Sequence, residues 1–430
     1  MIVSVVNDLD ARIGRLLQRP QHFIVPKPEQ FDEQRKLTAR TGERERPQHR
    51  HHQRRQCRLG LIDERNLNVG RRALLLAALA WLPALGLAAL QGLAWGGAAE
   101  RTLLLDFRLH AFAIAIAAFI VMERAADQRL GWLLSQFVAR GIVSEASRPG
   151  LVATHQASLR RSGSALAEGV MLLAAYAMSW LWLSHAALQS PGGSWVGQVV
   201  DGAWQPSAAG GWVLLVTVPL YGFLLLRWLW RFGCWALMLR DLARCRLQLV
   251  ATHADRCGGL SFIGLYPGTY TLFVFALSTV VSAGVLRQIV HHGAGLTSFK
   301  FEAMGLILFL LVAFVLPLCA FTPLLLGLKR RGLADYGALV SRHNLAFESR
   351  WIGGPTADTD GAAALGSPDV SSLADLAAGY ELVTRIKPVP VSRASLAPLL
   401  LAALLPIVVV AATQMPFKQI FGALKGLLLV

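Results

Sequence analysis

The sequence predicts an all-α fold: a polytopic bundle of about seven transmembrane helices, six if the last is re-entrant, with a cytoplasmic layer of amphipathic helices. Three observations carry that expectation. Seven stretches approach the roughly 20 mainly apolar residues that a spanning helix needs. Charged residues are 16% of the 430 positions and hydrophobic ones 54%, against about 25% and 45–50% in soluble domains. Lys and Arg collect in alternate connections, as loops kept on the cytoplasmic side require. The net charge of +16 would suggest nucleic acid in a soluble protein. Here the loop clustering accounts for it, so no specific nucleic acid binding is expected.

The first 70 residues are polar and contain RPQHRHHQRRQCR at 46–58. They read as a basic, disordered cytoplasmic leader, because so few apolar residues cannot offset the entropy cost of ordering. A basic arm for anionic lipid headgroups or nucleic acid is the competing reading of the same run, and His49, His51 and His52 invite comparison with a metal site. No apolar stretch follows the first charges, so a signal peptide is not expected.

The candidate spans are 73–95, 107–123, 165–187, 211–234, 266–288, 303–327 and 396–414. Pro83 falls inside the first and is tolerable if a neighbouring helix satisfies the backbone it frees. The second is short and carries Arg108 and His110 near its start, while Ala111, Ala113, Ala115 and Ala117 allow close helix approach. Arg71 and Arg72 precede the first span and place the N-terminus inside. Segment 124–164 (six arginines) and segment 235–265 (four) fall on the same side, while loop 188–210 has neither Lys nor Arg and falls outside. The first six spans thus occupy 71–327. A cytoplasmic helical segment follows at 328–395, then a hydrophobic helix and tail at 396–430.

The cytoplasmic segment has its own periodicity. Leu333, Tyr336, Val340, His343, Phe347 and Trp351 recur at three and four residues, one apolar stripe of an amphipathic helix. In GSPDVSSLADLAAGYELV (366–383), Ser367 can cap, Pro368 suits the first helical position and Asp369 complements the positive helix end. Val370, Leu373, Ala377, Tyr380 and Leu382 or Val383 supply its buried face. The Gly/Ala-rich stretch between the two reads as a mobile linker.

Two places hold candidate functional residues. In LLLRWLWRFGCWALMLR, Arg227 and Arg231 lie four apart with Trp228, Trp230 and Trp235 around them. They form either a cationic site for an anionic solute or headgroup, or an interfacial Trp/Arg belt. Ionisable partners near the spans are Asp106, Glu123, Glu302 and, one turn into the third span, Glu168, which reads either as a proton or cation site or as a structural pair. The second place is THADRCGGL at 252–260. Gly258 and Gly259 break helices, so His253 and Asp255 can face the same way in a turn and relay protons, with Arg256 beside a Cys257 thiolate. The alternative is a turn in which Asp255 caps the fifth helix and His253 packs on the cytoplasmic layer.

Little else signals chemistry. HHG at 291–293 lacks a third ligand and reads as an external loop, and His343 reads as a core histidine. Five cysteines lie too far apart for a CxxC motif, and cytoplasmic thiols stay reduced. No phosphate-binding loop, nucleophile elbow, HExxH pair or dinucleotide fingerprint occurs. No cofactor, metal or catalytic residue is therefore assigned, and enzymatic activity is not the leading expectation.

Four blocks in this order, RWLWR, THADRCGGL, YGALVSRHNLAFESRW and GSPDVSSLADL, resemble a family of uncharacterised bacterial multi-pass inner-membrane proteins. The likeness covers about 73–415. Ala254, Cys257 and Ser371 depart from the family's usual Pro, Ala and Gln. The resemblance implies topology and location and carries no activity. The leading expectation is an inner-membrane bundle that moves a small solute or ion. The competing one is a sensor or scaffold presenting its cytoplasmic layer to a partner, and a membrane enzyme on a lipid-linked substrate ranks third. Partners then reduce to the lipid bilayer, including anionic headgroups, and to further copies of the chain as a homo-oligomer.

Overall fold

A computed structural model describes residues 62–63, 66–67, 69–95, 102–189, 194–200, 203–293, 295–352, 368–391 and 393–414. Most of the leader, with its His cluster and Cys57, the Gly/Ala-rich linker and the tail after 414 lie outside the described residues. The end of the leader departs from the expected disorder: Ile62–Asp63 pairs antiparallel with Asn66–Leu67, and the first helix starts at Val69. The described chain is helical and contains seven helices long and apolar enough to cross a membrane: a multi-pass membrane protein. In order these are α1 (Val69–Leu90), α2 (Phe107–Ala139), then α3 (Arg148–Ser162) leading into α4 (Ala165–Gln189), α5 (Ala208–Ala243), α6 (Thr271–His292), α7 (Lys300–Trp351) and α9 (Arg393–Ala412). The amphipathic α8 (Pro368–Thr384) stands between the last two. Antiparallel strands β1 (Gly197–Val200) and β2 (Ala203–Pro206) pair Gly197 with Pro206 and Val200 with Ala203 on the Lys/Arg-free connection.

Several helix ends depart from the expectation. α2 does not stop at Glu123 but continues to Ala139, and the amphipathic helix expected at 332–351 is the continuation of the sixth span in one 52-residue run. An apolar run marks where a helix meets lipid; it does not mark where the backbone stops being helical. His291 and His292 end α6 rather than forming a loop, and Gly293, at φ 64°, supplies the left-handed cap.

α2 is central, packed by α1, α5 and α6; α3 and α4 pack on α5, and α9 on α6. Rings bind the centre: Phe112 and Phe119 of α2 lie 4.8 and 6.0 Å from Tyr221 of α5, and Phe119 lies 5.6 Å from Phe273 of α6. Within lipid no hydrophobic force draws helices together, so packing and interhelical hydrogen bonds must. Pro83 cannot donate to the Leu79 carbonyl, and Trp212 Nε1 of α5 donates to it instead at 3.1 Å. Thr217 Oγ1 donates to Ala80 O at 2.7 Å beside it. Where α5 loosens into a π turn at Val213–Thr217, Ser179 Oγ of α4 donates to Leu214 O at 2.5 Å. Ser278 Oγ of α6 reaches Ala403 O of α9 at 2.6 Å.

The two ends differ. One carries the β-hairpin; the other, the basic end, gathers Arg71, Arg72, Arg124, Arg160, Arg161 and Arg240 and extends into an arm made of the distal half of α7 and of α8. Along that half, Leu333, Tyr336, Val340, His343, Phe347 and Trp351 are half-buried while most of their neighbours are exposed. At the arm's tip Trp351 Nε1 donates to Asp369 Oδ2 at 3.3 Å, Arg350 pairs with Asp369 at 3.0 Å, and Ser372 Oγ lies 3.2 Å from His343 Nε2. On α8, Leu373 and Tyr380 are half-buried as expected and Val383 is buried. Val370 and Ala377 are exposed and Leu376 takes the seam instead, because two helices alone share a strip narrower than a full apolar face.

Candidate functional site

The sequence-predicted residues fall into two groups, both at the basic end. The first is a charged lattice. α2 and α5 both run from the hairpin end to the basic end, so residues one turn apart on each can meet in register. Glu123 and Asp127 sit one turn apart on α2, and Arg227 and Arg231 one turn apart on α5. Glu123 Oε1 lies 3.1 Å from Arg227 Nη2, and its Oε2 lies 3.7 Å from Arg72 Nη2 of α1. Arg231 pairs directly with Asp127. The Arg227 side chain is 13% exposed, so it turns into the bundle and is not part of an interfacial belt. Trp230 behaves as a belt residue, being exposed and donating to Arg161 O at 3.0 Å.

The lattice is framed by aromatic groups. Trp228 is buried and donates to Phe119 O at 3.0 Å, while the Arg231 guanidinium lies 4.8 Å from its ring. Trp235 stacks on Tyr266 at 4.7 Å. Glu168 makes no ion pair with another described residue, yet its charge attracts Arg227. Two of the expected partners are elsewhere: Asp106 caps α2 at the hairpin end and Glu302 opens α7 there. Asp127 is the residue that the sequence reading passed over. Its signal was the repeat of two carboxylates four apart on one helix against two arginines four apart on another.

The second group is the THADRCGGL turn. The Asp255 carboxylate accepts three backbone N–H groups: Cys257 at 2.8 Å and Gly259 at 3.1 Å on Oδ1, and Ser261 at 3.0 Å on Oδ2. Ser261 opens the 3₁₀ segment Ser261–Tyr270 that feeds α6, so Asp255 caps that approach. Burial would raise its pKa, but the three N–H groups outweigh it and hold the carboxyl below the ordinary carboxylate value. His253 Nδ1 lies 2.9 Å from Asp255 Oδ1, which favours the tautomer with the proton on Nδ1. A 3.2 Å approach of the Asp255 N–H to the same nitrogen would need a lone pair there, and the carboxylate is the stronger partner. Both carboxylate oxygens are thus committed to organising the turn.

Cys257 is buried, and burial first, then the Asp255 charge, pushes its thiol up to about 11. That overturns the expectation of a thiolate assisted by Arg256, which is exposed and holds φ 56°. The glycines are required. Gly258 has φ 63°, and a Cβ there would stand 2.8 Å from Leu328 Cδ2; Gly259 has φ 100°, outside the usual range of residues bearing a side chain.

The turn is also where the arm is mounted. Leu328 of α7 packs over Gly258, and Gly332 of α7 sits so close that a Cβ would meet Val383 Cγ1 at 2.8 Å and Ala251 Cβ at 3.0 Å. Beyond α8, the Lys387 N–H donates to Arg256 O at 2.9 Å, and Lys329 Nζ reaches Ile386 O at 3.5 Å. Both limbs of the arm therefore close on residues 251–258.

A third polar centre lies at the hairpin end. Asp106, 4% exposed, accepts from Arg108 N, Nε and Nη2 at 3.1, 3.0 and 2.8 Å and from Trp195 Nε1 at 3.0 Å. Burial raises its pKa, but Arg108, Arg287 and the Trp195 N–H bring it to about 2. Trp195 belongs to the Lys/Arg-free connection and ties it onto the bundle. Among the described residues no group of three or more His, Cys, Asp or Glu could hold a metal ion. Two cavities, of about 10 and 650 Å³, are lined by neither Arg227 nor Glu168. Comparison with family models, with curated proteins and with solved structures returned no match.

Proposed function

We propose that this is a bacterial cytoplasmic-membrane protein with its basic end inside, whose bundle holds a rigid two-helix arm in the cytoplasm for a partner, as a scaffold or sensor. The observation that carries this reading is the mounting of the arm. It is latched at its tip through Asp369 and at its base through Gly258, Gly332 and the Lys387–Arg256 bond. From Lys329 to Trp351 the α7 limb reaches about 34 Å from its base at 1.5 Å per residue. Leu345 and Ile352, 66% and 71% exposed and seven residues apart, share the face of α7 turned away from the seam. The loop charges support the orientation. The likeness of four sequence blocks to uncharacterised inner-membrane proteins is consistent with it, since three of the four blocks build the arm and its mount.

Movement of a solute or ion is the second reading, and the lattice favours it. Ionisable groups at the edge of a bilayer are costly and usually tied to function, and Glu123, Asp127, Arg227 and Arg231 meet there. The two readings separate in one pair of measurements. In liposomes loaded with H⁺-, K⁺- and Cl⁻-sensitive dyes, the scaffold reading expects flux at the empty-liposome level. In cells, photo-cross-linkers at Leu345 and Ile352 should give discrete adducts that disappear when the Asp369 latch is removed. A flux well above background that Arg227→Ala abolishes would instead establish transport.

A further inference from the structure

The larger cleft, about 650 Å³, is lined by none of the four lattice charges and by no residue of the Asp255 turn, and it shares Tyr266 with the aromatic frame of the lattice. It forms where three segments meet at the basic end: the continuation of α2 beyond Glu123, the 3₁₀ approach to α6, and the start of α9. Its volume falls within the range of about 300–1,000 Å³ usual for small-ligand sites. Its lining is mostly apolar, and among the described residues that line it Arg129 is the charged one. Glu123 and Asp127, the nearest carboxylates on α2, are committed to Arg72, Arg227 and Arg231. Arg129 is exposed and makes no ion pair with another described residue. Its Nη1 lies 3.7 Å from the position a Cβ on Gly268 would take, so the guanidinium sits over the glycine that floors the cleft.

Three further features agree. Thr269 lines the cleft and is 5% exposed, and its Oγ1 has no hydrogen-bond partner among the described residues; a rotation about χ1 would offer that hydroxyl to an acceptor. Trp132, Leu265 and Leu272 of the lining are 44%, 43% and 38% exposed, so the cleft opens sideways with apolar rims. Arg140, three turns along α2 from Arg129 on the same face, lies over the Phe262 ring at 5.0 Å and adds positive potential to that edge. A cation, a hydroxyl and an indole above apolar rims, at the level where helices leave the bilayer, suit a molecule with an anionic head and an apolar tail.

We infer that the cleft binds one anionic phospholipid of the surrounding leaflet, its phosphodiester on Arg129 and the root of an acyl chain along Leu265 and Leu272. The site does not depend on the arm or on either functional reading. Native mass spectrometry of the detergent-purified protein titrated with phosphatidylglycerol tests it. Wild type should retain one phosphatidylglycerol in preference to phosphatidylcholine, and Arg129→Gln should weaken that retention about fivefold, the worth of one basic residue at an anionic surface. Arg124→Gln removes the same charge from the opposite face of α2 and should leave retention unchanged. Equal loss in the two variants would mean a diffuse surface charge and overturn the site. So would equal retention of phosphatidylcholine, or displacement of the lipid by millimolar inorganic phosphate.

Discussion

Replacing Asp255 tests the link between the turn and the arm. The carboxylate organises three backbone donors, of which Cys257 and Gly259 belong to buried residues. A hydrogen bond to a charged group contributes about 1.5–3 kcal/mol, and a buried donor left unpaired costs about 1–3 kcal/mol. The Asp255 side chain is 12% exposed, so water can replace part of what is lost, and about 3 kcal/mol is the expected local cost of Asp255→Ala. At 1.36 kcal/mol per tenfold, that raises local opening by roughly a hundredfold. Asp255→Asn keeps one neutral acceptor, so about half the cost and a roughly tenfold effect are expected. Hydrogen exchange read by mass spectrometry, with the protein in nanodiscs, gives both numbers on peptides covering 255–262. The decisive peptide is 385–391: the Lys387 N–H is held by Arg256 O, so it should lose protection in step with the turn. Unchanged protection at 385–391 while 255–262 opens would show that the turn does not mount the arm.

Four other outcomes follow from the same geometry. Acidification through and below the ordinary carboxylate value of 3.8 protonates Asp106 and Asp255, whose folded-state values are depressed. Their contribution, complete above that value, is then lost on the acid side; for Asp106, with a value of about 2, it amounts to about 2 kcal/mol, readable as a falling Tm between about pH 4 and pH 2. Trp195→Phe removes one N–H from the Asp106 carboxylate and should cost about 1–2 kcal/mol, shifting the same acid limb to higher pH. Arg231→Met strands Asp127, which is part-exposed, and should cost about 1.5–3 kcal/mol by thermal melting in detergent, while the exchanged pair Asp127→Arg with Arg231→Asp should recover part of it; no recovery would mean that packing of Arg231 on Trp228 dominates. Gly259→Ala, at φ 100°, should destabilise the turn by about 1–3 kcal/mol, whereas Gly211→Ala, with open space around its Cβ, should be close to neutral.

The spans were legible because each is a long apolar run, and a run of that length has few other uses. The α7 stripe was legible for a related reason: spacings of three and four keep one face, and the packing partner covers only that face. What escaped the sequence lay past the ends of runs or between them. Asp127 was overlooked because it lies one turn beyond the apolar stretch of α2, where a charge excites no suspicion. Its importance depends on α2 staying helical to Ala139 and running parallel to α5. The three N–H groups converging on Asp255 depend on backbone dihedrals at Arg256, Gly258 and Gly259, of which the glycines gave only a hint. The phospholipid cleft was invisible for a stronger reason. Arg129, Thr269 and Ser395 are far apart in the chain, and only tertiary packing of α2, α6 and α9 brings their segments together.

The paired spacing of Glu123 and Asp127 against Arg227 and Arg231 has a consequence for motion. The two parallel helices engage like a rack with two teeth. Sliding α5 by one turn, about 5.4 Å, toward the hairpin end would bring Arg231 opposite Glu123. Asp127 and Arg227 would then face no partner at the rim of the bilayer, where bare charge is expensive. Half a turn would disengage both teeth. The lattice therefore permits one sliding position, and α2 and α5 must tilt or rotate as a single body, carrying with them Trp228, Tyr266 and the segment that leads back to the Asp255 turn.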